Sequence, residues 1–134
     1  MKISSRADYA TKAMLELSIN PDHPVTLSYL SRLQNISISY LEQIFAQLRK
    51  HELVKSVRGP GGGYVLNRAM ADITVGDVVK AIDNISALSQ GEPSDKTHSL
   101  WNQLSTLVYQ HLDTISLADI HHAAENVRGV HQAA

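Results

Sequence analysis

Residues 37–64 read SISYLEQIFAQLRKHELVKSVRGPGGGY, and this stretch decides the fold. Ser39 and Glu42 stand in the S-x-x-E spacing of a capping box, so a helix is predicted to start there, the serine hydroxyl and the carboxylate taking up free amides of the first turn. Leu41, Ile44, Phe45 and Leu48 recur every three or four residues and commit one face to a core. Ser37, Ser39, Tyr40, Gln43 and Gln47 fall off that stripe. An exposed helix start rich in hydroxyls, an amide and free backbone donors can meet phosphates and base edges.

The second half of the stretch predicts two short strands, residues 53–57 and 64–66, around a turn of Gly59, Pro60, Gly61, Gly62 and Gly63. Such a turn has little side-chain bulk, so its backbone can approach another surface closely. Arg58, at the strand end, suits a narrow minor groove or a phosphate. A nucleotide-phosphate loop would need Gly-Lys-Ser/Thr and an immediate helix, and neither follows.

The run from Ser37 to Tyr64, with SYLEQ, LRK, LV and SVRGPGGGY, resembles the IscR-like family of bacterial winged helix-turn-helix regulators. The resemblance continues in SSRADYATKAMLEL from Ser4, ITVGDVVKAID, THSLW and ISLADI. It implies a mainly α fold with a small β-wing, a winged helix-turn-helix domain followed by a long C-terminal dimerisation helix. It also implies that Ser37, Ser39, Tyr40, Glu42 and Gln43 lie on the recognition helix, and Arg58, Gly59, Gly61 and Gly62 on the wing.

Elsewhere the pattern agrees with one compact domain. Ser4 or Ser5 caps a first helix carrying Tyr9, Ala10, Ala13, Met14 and Leu17, which ends near Asn20 and Pro21. Thr26 caps a short helix with Leu27, Leu30 and Leu33, and Asn35 and Ile36 supply the turn. Thr74, with Asp77, caps a helix striped by Val75, Val78, Val79 and Ile82. The expected division is residues 1–83 as the DNA-binding domain, 84–96 as a flexible loop, 97–120 as the dimerisation helix with a short terminal helix, and 121–134 as a disordered tail.

On the long helix, Leu100, Leu104, Leu107, Val108 and Leu112, with Trp101 beside them, form a stripe broader than one neighbour needs. The surplus reads as a homodimer surface, as the resemblance also implies.

The formal net charge is only −1, but its distribution is uneven. Residues 1–70 hold nine Lys/Arg and five acids, a net +4, whereas residues 71–134 hold three and eight, a net −5. A basic half joined to an acidic half fits a protein that meets double-stranded DNA with one face. The chain has no membrane-length apolar run, so no membrane partner and a cytoplasmic location are expected.

Cysteine is absent, which excludes disulfides and thiolate metal sites. Relatives that carry a [2Fe-2S] cluster hold it with three cysteines in the loop and a histidine in the T-H-x-L-W segment. His98 matches that histidine, but serine hydroxyls such as Ser89 and Ser94 are poor ligands for cluster iron. No cofactor is therefore expected. His98, His111, His121 and His122, with Glu92 or Asp95, lack the i, i+4 pairing that favours a metal, and read as solvated surface. Control by protein level, by a small ligand between loop and reader, or by a protein partner docked on the acidic half all remain open. No nucleophile elbow or H-E-x-x-H pair points to an enzyme.

Overall fold

The computed structural model describes residues 3–83 and 96–124. Helix α1 (Ser5–Ile19) starts at the N-cap Ser4, whose Oγ accepts from the Ala7 amide at 3.1 Å. Its inner face is Ala7, Ala10, Ala13, Met14 and Leu17, all nearly or fully buried. Three alanines on one face let neighbouring backbones come close, and α1 packs against α4 (Val75–Ile82) and the sheet.

Helix α2 (Leu27–Gln34) is capped by Thr26, and it ends where Asn35 takes a left-handed φ of 55°. Asparagine tolerates that region better than most residues, so the chain can turn sharply into α3 (Ile38–Lys50). Leu30 is the fully buried residue of α2; Leu33, expected on the apolar stripe, is 51% exposed. Helix α2 packs chiefly on α3, so its eight residues bury Leu30 in that contact and leave Leu33 outside it.

The wing is an antiparallel pair, β1 (Val54–Val57) and β2 (Gly63–Leu66), in register Val54↔Leu66 to Val57↔Gly63. Tyr64 fastens it twice. Its backbone exchanges hydrogen bonds with Val25 at 2.9 and 2.8 Å, and its ring lies 4.7 Å from that of Phe45 on α3. A Cβ at Gly63 would run into the Val25 carbonyl, so this junction requires glycine.

Thr74 and Asp77 form the reciprocal capping box at the start of α4. Helix α5 (His98–Leu112) then docks on α4 through the buried Ser105 and Tyr109 and the half-buried Leu112. A final helix, α6, spans 117–124, capped by Ser116 and Asp119 in a second reciprocal box at 3.0 and 2.9 Å. It extends past Ile120, so residues 121–124 are helical where a disordered tail was expected. The cap is the reason: two amides of the first turn are satisfied, and Leu117 is fully buried. Of the expected loop at 84–96, residues 84–95 lie outside the described residues, as does the rest of the tail at 125–134.

Candidate nucleic-acid interface

Helix α3 does not start where the S-x-x-E spacing placed it. Its N-cap is Ser37, in extended conformation (φ −69°, ψ 150°), with Oγ accepting from the Tyr40 amide at 3.1 Å. Ser39 is the second helical residue, so no capping box joins it to Glu42. The turn decides this: Asn35 and Ile36 deliver the chain to Ser37 already extended, as an N-cap requires.

The shift frees Glu42. Among the described residues neither the Glu42 nor the Gln43 side chain makes a hydrogen bond or ion pair, and both residues are exposed, as are Ser37 and Ser39. Tyr40 is different, being half-buried with its ring edge-on to Tyr9 at 6.0 Å. The first amides of α3 have no intrahelical acceptor, leaving donors at an exposed positive helix end. Sequence periodicity passed over Ile38, which is 44% exposed beside Ser39. An apolar residue there can cover a thymine methyl group, and its only sequence signal is a position off the buried stripe.

Across the turn, Arg58 follows β1 directly, is exposed, and makes no ion pair among the described residues. Gly59 and Gly61 hold φ of 95° and 75° with no atom within 4 Å of where a Cβ would stand. The wing tip therefore offers bare backbone to solvent. Gly62 points the other way, since a Cβ there would collide with the Val57 and Gly59 carbonyls. It shapes the tip rather than presenting a surface.

The proposed dimer residues divide. Leu100, Leu104 and Leu107 are 55%, 37% and 63% exposed, with Trp101 at 50%. Val108 and Leu112 are half-buried, and Leu112 packs against the core of its own domain. His98 is half-buried at the start of α5, and among the described residues no three His, Cys, Asp or Glu side chains gather as a metal site. With no thiolate in the chain, the donor set does not fit an iron-sulfur cluster. No described helix is long and apolar enough to cross a membrane.

Comparison with known proteins gives this geometry its context. The HTH-type transcriptional regulator IscR of Sodalis glossinidius is 44% identical over 129 residues, covering 90% of this chain and 78% of that protein. IscR of Escherichia coli is 42% identical over the same length, covering 90% and 80%. Among solved structures, T. potens IscR superposes with a TM-score of 0.80 at 38% identity, over 95% of this chain and 90% of that one. CymR, the global cysteine regulator of B. subtilis, gives 0.75 at 33% identity, over 90% and 95%. The winged helix-turn-helix fold and the function of transcription regulator, rather than enzyme, follow from these relatives. The Rrf2 family model, described as an iron-dependent transcriptional regulator, matches residues 3–123, and the chain belongs to that family.

Proposed function

We propose that this regulator binds DNA as a homodimer on a partly palindromic operator, without an iron-sulfur cluster. The observation that carries the reading is the pair Glu42 and Gln43, exposed and uncommitted at the start of α3, with Arg58 on a wing fastened to the same helix through Tyr64 and Phe45. In this reading α3 enters a major groove, Gln43 pairs with adenine and Glu42 accepts from the cytosine amino group. Arg58 and the bare backbone at Gly59 and Gly61 engage the adjacent minor groove or phosphates. Ser37 spends its hydroxyl on its own helix and contributes position rather than base choice.

The exposed face of Leu100, Trp101, Leu104 and Leu107 supports pairing through α5. A twofold dimer reads two half-sites about one helical turn apart, roughly 34–36 Å. The absence of cysteine supports a reader that works in its colourless form.

The test is selection from a random-duplex library by the purified protein, across a salt series. Enrichment of a two-fold site is the expected result. Weak, sequence-blind, salt-sensitive binding alone would refute the cluster-free reader.

A further inference from the structure

Helix α3 fully buries Leu41, Ile44, Phe45 and Leu48 and half-buries Tyr40. Among the described residues that leaves Ile38, 44% exposed, as the one large apolar side chain of this helix turned to solvent. Ile36, two residues earlier, packs against the core, and Ile38 lies outside that packing. Helix stability gives little reason for isoleucine here. A β-branched residue is a weak helix former, and the first turn, which has no acid, would gain more from a carboxylate.

A single exposed isoleucine is ordinary on a protein surface, but the neighbours of this one are not. Ile38 and Glu42 stand one helical turn apart and so share a row, and Ser39 and Gln43 form the row beside it. All four residues are exposed. Ile38 therefore belongs to the same face as the two side chains that carry the DNA-binding reading. It brings neither donor nor acceptor to that face.

The major groove of DNA shows hydrogen-bonding groups on every base pair and one kind of apolar group, the C5 methyl of thymine. An isoleucine that enters the groove can match only that group. We propose that Ile38 reads one thymine methyl in each operator half-site, beside the base that Glu42 contacts. One helical turn rises about 5.4 Å and stacked bases about 3.4 Å, so this thymine lies within about two steps of that base. The contact is blind to the rest of the ring. Cytosine methylated at C5 offers the same apolar group, and Ile38 accepts it in place of thymine. This inference rests on the DNA-binding reading above and assigns it a residue for base choice that makes no hydrogen bond.

Deoxyuridine scanning of the selected operator tests the assignment, because deoxyuridine differs from thymidine only by that methyl. Each thymine is replaced in turn and the affinity of the full chain is read by fluorescence anisotropy. One position in each half-site is expected to weaken binding about fourfold, the equivalent of one buried methyl group, and both together about 15-fold. Ile38→Ala should bind thymine and deoxyuridine equally at that position, while Ile38→Val keeps part of the difference. Cytosine placed there should bind about fourfold better when methylated at C5. The scan on the unaltered chain needs no variant to fold. Equal affinity for thymine and deoxyuridine at every position, or a selected half-site without thymine, overturns the role of Ile38 and leaves the DNA reading intact. A methyl effect that persists in Ile38→Ala overturns it too, since another side chain then covers the methyl. A library selection that returns no site removes the DNA reading and this inference together.

Discussion

The ring of Tyr9 on α1 meets the ring of Tyr40 on α3 edge-on, with centroids 6.0 Å apart and planes at 90°. An edge-to-face pair adds about 0.5–1.5 kcal/mol beyond the area it buries. Tyr9→Leu is therefore expected to lower stability by about that amount and to loosen the start of α3. Urea unfolding checks the first effect. A fall in operator affinity larger than the fall in affinity for random duplex checks the second, and equal falls would count against any positioning role for Tyr9.

Gln43 and Arg58 should fail in different ways. Gln43→Ala is expected to cost about 1–3 kcal/mol on the preferred site and little elsewhere, relaxing base choice at one position in each half-site. Arg58→Ala should weaken all sequences alike and reduce the steepness of the salt dependence by about one phosphate contact. Titrations on matched and scrambled duplexes separate the two, and indistinguishable variants would contradict the assignment.

Leu107 is the most exposed large apolar side chain on α5, at 63%. Leu107→Glu places a charge where the proposed partner helix would lie and is expected to shift the protein to monomers at micromolar concentration. Analytical ultracentrifugation reads the state directly. Leu112→Glu should instead unfold the domain, because Leu112 packs inward.

Gly76 lies where α4 passes the end of α5, and a Cβ there would strike the Asp113 carboxylate. That carboxylate holds Lys80 at 2.6 Å. Gly76→Ala should break the contact and cost about 1–3 kcal/mol through overpacking, more than Lys80→Ala, whose half-exposed ion pair is worth at most about 1 kcal/mol. Thermal unfolding of the two variants decides the order.

Burial, and secondarily the nearby Asp83 carboxylate, raises the Tyr109 phenol above its ordinary 10.0. The folded state thus keeps this proton more tightly than the unfolded state does. Its contribution is fully present below pH 10.0 and is lost as pH rises toward the raised value. Tyr109→Phe should flatten the alkaline loss of stability, a difference visible in Tm measured from neutral pH to above 10.0.

Most of the helix boundaries were legible in the sequence because capping chemistry is local. Ser4, Thr26, and Thr74 with Asp77 each do what their spacing implies. Ser37 and Ser39 show the limit. Both fit a local cap, and the choice between them depends on the direction in which Asn35 sends the chain. Burial around the helices was less legible. Leu30 and Leu33 look alike in a periodic pattern, as do Leu107 and Leu112, yet the crossing of neighbouring helices buries Leu30, half-buries Leu112 and leaves Leu33 and Leu107 exposed. The side-chain amide of Gln34, buried without a hydrogen-bond partner, left no trace in the sequence, since nothing local distinguishes a buried glutamine from a solvated one at a helix end.

The segment after the wing leaves and returns through one point. Thr74 pairs with Ser116, Val75 donates to the Ile115 carbonyl at 2.8 Å, and Leu117 donates to the Ile73 carbonyl at 2.9 Å. Everything between those residues is an excursion clasped at its neck by backbone hydrogen bonds, whose formation does not depend on side-chain identity. The clasp thus fixes the point at which the chain re-enters the domain, at Ser116, whatever side chains α4 and α5 carry, so the outer face of α5 is free to vary without moving the domain it leaves from.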